Sequence, residues 1–310
     1  MKINLIFGFL GSGKTTLIRR FLKDQSDLSK TAVIVNEFGD VGIDGLIIEG
    51  EHVDVVELNS GCLCCNLKGP MLDAIDEIAA THNVETLFIE SSGVAEPIDT
   101  LKAFTDPNLH SKIEIGPIVT VINSPHFGKL REVLGDFFTD QIRHADVLIL
   151  NKIDLIDSVE SEDIRVGVRE LNHKADFLYA EQCDVNLNEL FEADTRSIDD
   201  FVARINGLHR SSTEHHEHEH ERMDSLVVAN IHNVERQHLE HWFLSLPGHL
   251  YRAKGFVTVD GERCLVQFSM GQLNVERTDQ SNPSHMVFIG QNIDRSLIKN
   301  QYESLGSTPD

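Results

Sequence analysis

Apolar residues along this chain fall in short runs. Lys2 to Phe7, Thr31 to Asn36, Val53 to Leu58, Thr86 to Glu90, Ile118 to Ile122, Val147 to Leu150 and Phe177 to Ala180 each hold a compact apolar stretch. Runs of that length, bounded by turn residues, predict buried strands. Thr16 to Leu22 reads as the first turns of a helix. Gly69 to Ala80 reads as a second one, with Leu72, Ile75 and Ala79 on one face and Asp73, Asp76 and Glu77 outward. Short apolar strands alternating with helical segments predict βα units and a mostly parallel sheet, an α/β fold. Ligand loops in such sheets lie beyond the carboxyl ends of the strands. The segments GFLGSGKTT, NEFGD, NSGCLCCN, SSGVAEP and NKID each follow a strand, so they are expected to converge on one face.

The pattern breaks near Asn206. Residues Gly207 to Asp224 hold STEHHEHEHER and almost no apolar material, the composition of a linker or loop. Beyond it the runs resume: a strand at Leu226 to Ile231, a helix around His238 to Leu246, strands at Ala253 to Val259, Cys264 to Met270 and Met286 to Ile289, and a terminal helix from about Asp294. This predicts a nucleotide-type domain over 1–206, a His-rich linker over 207–224 and a small α+β domain over 225–310.

Composition narrows the function classes. The chain has 310 residues, 41% hydrophobic and 25% charged, with a formal net charge of −23. That charge disfavours sequence-independent binding to nucleic acid or to an anionic membrane, both of which need basic surface. No apolar run is long enough to span a bilayer. The N-terminus enters a strand at once, which predicts no signal peptide. Five cysteines with three clustered make a poor disulfide framework and suit a reducing cytoplasm.

Gly8, Gly13, Lys14 and Thr15 match the pattern G-x-x-x-x-G-K-[ST] between a strand and a helix. Gly8, Gly11, Ser12, Gly13, Lys14, Thr15 and Thr16 would cradle phosphates with backbone N–H groups, helped by the helix N-terminus. Lys14 would reach the β- and γ-phosphates and the Thr15 hydroxyl would ligate Mg²⁺. In NKID, Asp154 can accept the paired N1–H and N2 donors of guanine, which adenine lacks. Asn151 would contact the base edge or brace the loop, and the Lys152 stem would cover the ring. The competing reading is a polar turn in which Asp154 caps a helix. Glu90 and Glu37 end strands on the same face, as Mg²⁺-linked acids or as caps. Gly39 and Gly93 suit loops that respond to a γ-phosphate.

Cys62 and Cys65 have metal-knuckle spacing, and Cys64 adds a third thiolate. Zn²⁺ or Cu⁺ would accept such a site, with a fourth ligand from Glu37, a His, water or a partner. His215, His216, His218 and His220 alternate with Glu217 and Glu219, either a metal collector or a solvated acidic loop. Lone Cys183 and Cys264 read as core cysteines.

Taken in order, GFLGSGKTT, NEFGD, SGCLCC, ESSGVAEP and NKID resemble the CobW-type members of the metal-handling P-loop GTPases. LPGHLYRAKGFV, Leu246 to Val257, resembles the opening of the CobW C-terminal domain. Within that family the chain is similar to the YeiR-type zinc-binding GTPases, which carry a His-rich segment between domains. The resemblance implies a P-loop NTPase fold, slow GTP hydrolysis with Mg²⁺, and zinc held by Cys62, Cys64 and Cys65. It also implies delivery of metal to a client protein. Catalytic parts would fall to Lys14, Thr15, Glu37 and Glu90, phosphate sensing to Glu90 through Gly93, and guanine to Asn151, Lys152 and Asp154. Rival readings are a metal buffer or sensor with incidental turnover, a cobalt or nickel inserter, and a P-loop kinase with a zinc knuckle. Self-association stays open. Two departures stand out: family members commonly end the strand before that of NKID in Asp, where this chain has Asn123, and no base-contacting loop is evident in YAEQC, Tyr179 to Cys183.

Overall fold

The computed structural model describes residues 1–25, 27–38, 54–60, 68–81, 84–91, 93, 97, 100–101, 104, 113–192, 200–203, 223–229, 233–246, 249–269, 271–279 and 284–305. These residues form two sheets, each with its own core.

The first sheet has seven strands: β1 (Lys2–Phe7), β2 (Thr31–Phe38), β3 (Asp54–Ser60), β4 (Thr86–Glu90), β5 (Glu114–Asn123), β6 (Val147–Asn151) and β7 (Asp176–Ala180). Their spatial order is β3-β2-β4-β1-β5-β6-β7. β1 lies between β4 and β5 and runs parallel to both, with Ile6 opposite Glu90 on one side and opposite Val119 on the other. β2 with β4, β5 with β6, and β6 with β7 are parallel as well. The register aligns Asn123 with Asn151 and Asn151 with Ala180, so three strands end in one row.

Period-two alternation along β1 explains why the sheet is buried on both sides. Ile3, Leu5 and Phe7 join a cluster completed by Met71, Ala74, Ile75 and Ile78 of helix α2 (Lys68–Thr81). Ile6 faces the opposite cluster, with Leu17, Ile18, Phe21 and Leu22 of α1 (Lys14–Asp24). Phe21, Phe88 and Phe191 meet there with ring centroids 4.6, 4.9 and 5.4 Å apart. Each buried ring contributes roughly 1.5–3 kcal/mol, which locks α1 onto the sheet face behind the loop that opens it. Helices α3 (Phe127–Leu134) and α4 (Asp136–Arg143) join β5 to β6; α5 (Ser158–Leu171) joins β6 to β7, and α6 (Leu187–Glu192) follows β7.

The second sheet is five-stranded and antiparallel, in the order β11-β10-β9-β12-β8. Its strands are β8 (Met223–Ala229), β9 (Leu250–Val259), β10 (Glu262–Ser269), β11 (Gln272–Arg277) and β12 (His285–Gln291). α7 (Arg236–Ser245) and α8 (Arg295–Leu305) share its core. Trp242 stacks on Tyr302 at 5.1 Å and Phe243 on Phe268 at 4.9 Å. This is the small α+β architecture expected after the linker. The segment 204–222, where the His-rich linker is expected, lies outside the described residues. No helix among the described residues is long and apolar enough to cross a membrane.

Candidate functional site

β1 stops at Phe7 and α1 starts at Lys14. The loop between them turns through Gly8, Gly11 and Gly13, with φ of 141°, 70° and 116°. Side chains rarely adopt such angles, and space excludes them too. A Cβ on Gly13 would lie 2.5 Å from Asn151 Nδ2 and 2.8 Å from Cys183 Sγ, and one on Gly8 would lie 2.3 Å from the Val121 carbonyl oxygen. The loop is therefore pressed onto the carboxyl ends of β5 and β6 and onto the turn after β7.

Three neighbours grip three consecutive carbonyls of this loop. Asn123 Nδ2 donates to Gly11 O at 3.4 Å, Asn151 Nδ2 to Ser12 O at 2.7 Å, and Cys183 Sγ to Gly13 O at 3.3 Å. A trans peptide is planar, so fixing the Ser12 and Gly13 carbonyls aims the N–H groups of Gly13 and Lys14 the opposite way. Those groups join the orphan donors of the α1 N-terminus. Ser12 Oγ is buried and has no hydrogen-bond partner among the described residues. A glycine-lined cradle with aimed N–H groups and an orphaned hydroxyl fits a phosphate chain.

The ionic parts lie beside the cradle. Lys14 is buried, and its Nζ donates to Phe9 O at 3.5 Å. Thr15 Oγ1 donates to Glu90, 3.0 Å from Oε1 and 3.1 Å from Oε2. Hydroxyl and carboxylate oxygens in one place are the donor set that Mg²⁺ takes. A Cβ on Gly93 would lie 2.7 Å from the Leu10 backbone nitrogen, so the segment after β4 passes directly against the phosphate loop.

Asn151 is spent on bracing. Besides its bond to Ser12 O, its Oδ1 accepts from the Cys183 N–H at 2.8 Å. Lys152 follows with a left-handed φ of 63°, and burial lowers its pKa while Cys183 and Asp154 raise it. Asp154 is exposed in the 3-10 turn Ile153–Leu155. It caps no helix. That task falls to Asp157, whose carboxylate accepts from the N–H groups of Val159 and Glu160 at 2.8 and 2.9 Å, while Glu160 accepts from the Asp157 N–H in return. Asp154 thus stays open to solvent at the end of β6. After β7, Gln182 and Cys183 both take left-handed φ, 49° and 57°. Arg20 of α1 holds that turn, donating to Gln182 O at 2.8 Å and pairing with Asp184 at 3.1 Å.

Sequence reasoning places Cys183 in the core, where it lies buried, but not its bond to the phosphate loop, and it misses Arg20 and His126. Nothing local signals that bond, because the turn that holds Cys183 contains no glycine. His126, in the 3-10 turn Ser124–His126 after β5, has its pKa lowered, first by burial and then by Lys152 and Lys129. The structure brings Gly8, Gly11, Ser12, Gly13, Lys14, Thr15, Glu90, Gly93 and Asn151 together. Thr16 is exposed one residue further along α1. Glu37 lies in β2 by its backbone. Its side chain, Cys62, Cys64 and Cys65, and His215, His216, His218 and His220 lie outside the described residues.

Two family models match the chain. Residues 2–179 match "CobW/HypB/UreG, nucleotide-binding domain", and residues 223–305 match "Cobalamin synthesis protein cobW C-terminal domain". The zinc chaperone CobW of Pseudomonas aeruginosa is 29% identical, covering 97% of this chain and 90% of its own. The zinc-regulated GTPase metalloprotein activator 1 of Schizosaccharomyces pombe is 34% identical over 178 residues, 55% of this chain and 43% of its own. The zinc chaperone YeiR of Escherichia coli is 33% identical over 153 residues, 49% of this chain and 47% of its own.

Proposed function

This chain belongs to the CobW/HypB/UreG family, and from that premise we propose that it is a GTPase that binds zinc and hands it to a client metalloprotein in the cytoplasm. The observation that carries the nucleotide half is the Thr15–Glu90 pair beside a loop whose three carbonyls are tied away from the cradle. Lys14 would neutralise charge on the transferring phosphoryl group. Thr15 and Glu90 would hold Mg²⁺, which offsets the charge of the phosphate oxygens. Asp154 would select guanine by accepting from the base's N1–H and N2 donors. The domains follow the same division, 1–206 for the nucleotide, 207–224 as the His-rich linker and 225–310 as the second domain.

The zinc half rests on donor chemistry and on the relatives named as zinc chaperones. Cys62, Cys64 and Cys65, which follow β3 in the sequence, would supply thiolates, and Glu37 is the penultimate residue of β2, the strand beside β3. The γ-phosphate would draw the segment after β2 inward and so change the metal's ligand set. His215, His216, His218 and His220 would collect metal for that site.

The test is zinc affinity without nucleotide, with GDP, and with a non-hydrolysable GTP analogue. Coupling of the usual size changes affinity by about 5- to 150-fold, and zinc must shift GTP affinity by the same factor. Replacing Cys64 and Cys65 with Ser abolishes the effect and leaves zinc-free GTP binding intact. Equal zinc affinity in all three states leaves a metal buffer as the better reading.

A further inference from the structure

We infer that Cys183 is a positioning residue that ties the guanine side of the site to the phosphate loop, so that the two halves respond as one unit. The inference rests on the nucleotide reading above. Cys183 is fully buried and lies 170 positions from Gly13 in sequence, yet it meets that glycine twice. Its thiol donates to Gly13 O at 3.3 Å, and its sulfur occupies the space a Cβ on Gly13 would need. Its own N–H donates to Asn151 Oδ1 at 2.8 Å, and the Asn151 amide donates onward to Ser12 O. The turn after β7 is thereby joined to two successive peptides of the phosphate loop.

The Gly13 carbonyl is the leverage point. It accepts the first bond of α1, from Leu17 N at 2.9 Å, and the Cys183 thiol as a second donor. The Gly13 C=O and the Lys14 N–H belong to one planar peptide. Whatever fixes the carbonyl therefore aims the Lys14 N–H at the phosphate position. Burial pushes the Cys183 thiol up to about 12, so it remains an S–H donor at neutral pH. Left-handed φ at two successive non-glycine residues, Gln182 and Cys183, persists only where neighbours over-determine it. Here those neighbours are the phosphate loop and Arg20 of the helix it opens.

The test uses inorganic pyrophosphate with Mg²⁺, a probe that has no base, and follows hydrogen exchange peptide by peptide in the full chain. In the unaltered protein, pyrophosphate protects residues 8–16 and also slows exchange over 180–185 roughly fivefold, the effect of about one hydrogen bond. In Cys183→Ala it protects 8–16 but no longer 180–185, and Cys183→Ser, which keeps a donor, restores part of the distal protection. Each comparison is made with and without pyrophosphate within one variant, so general loosening cancels. Undiminished protection of 180–185 in Cys183→Ala overturns the inference, as does protection of 8–16 alone in the unaltered protein. Failure of pyrophosphate to protect 8–16 overturns the phosphate-site reading itself.

Discussion

The Thr15 hydroxyl donates to the Glu90 carboxylate, 3.0 Å from one oxygen and 3.1 Å from the other. The first turn of α1 and the end of β4 thus present one oxygen cluster. Glu90→Gln keeps the size and removes the charge. It should cut Mg²⁺-supported GTP turnover by about 100-fold, the usual loss when a charge-stabilising group is removed. GDP binding without Mg²⁺ should change little. Phosphate release at saturating GTP measures this, and unaltered turnover would remove Glu90 from the site.

Asp154 is exposed and uncommitted to any helix cap, because Asp157 takes that part. Asp154→Asn should weaken GTP by roughly tenfold or more, since bonds to a charged acceptor contribute about 1.5–3 kcal/mol. Xanthine nucleotide should gain relative to guanine. Competition among GTP, ATP and XTP reads both changes. A protein that binds ATP as well as GTP has no guanine pocket here.

Asn123 donates to Gly11 O at 3.4 Å and is buried, and its own Oδ1 has no partner among the described residues. Asn123→Asp sets a carboxylate against that carbonyl. The buried acid has a folded pKa above its unfolded value of about 3.9. The folded state then holds the proton more tightly, so the variant is little affected below about pH 4 and loses stability as pH rises. At pH 7 the loss should reach about 2 kcal/mol or more. Chemical denaturation across pH checks it; a variant as stable as the parent at pH 7 contradicts the assignment.

His126 has a folded pKa below its ordinary value, through burial and the nearby Lys152 and Lys129. The folded state therefore prefers the neutral ring. Its contribution is present above about pH 6.5 and is lost as pH falls through the folded pKa. Thermal melts at pH 7.5 and 5.5 should show a smaller acid loss in His126→Gln than in the parent. An equal or larger loss in the variant would show that His126 does not titrate against folding.

The parts of the site legible in sequence are those set by local chemistry. Gly8, Gly11 and Gly13 announce the loop because its positive φ angles, 141° and 116° at Gly8 and Gly13 above all, favour glycine. The apolar runs announce the strands because a doubly covered sheet leaves no polar alternation. β5 was harder. Gly116 and Pro117 interrupt its apolar run, so the sequence suggested a start at Ile118, whereas pairing with Lys2 and Ile3 begins at Glu114. β11 was missed because it is an exposed edge strand with only Leu273 and Val275 apolar. Asn123 reads in sequence only as a departure from the Asp common in the family; its bond to the Gly11 carbonyl is set by the fold. Cys183 and Arg20 act through partners more than 160 positions away. Such pairings are set by tertiary register, which no local pattern encodes.

The place of β1 also governs how the chain can be made. It precedes both of its neighbours in the chain, which are residues 86–90 and 114–123. At roughly 5–20 residues per second, β5 emerges about 6–23 s after β1. Throughout that interval Ile3, Leu5, Ile6 and Phe7 have no partner strand on the β5 side, and the phosphate loop behind them has no floor. Nascent chains arrested before residue 114 should therefore expose a sticky β1 edge that no nucleotide can rescue. Those arrested well past β7 should be protected by GDP while still attached to the ribosome.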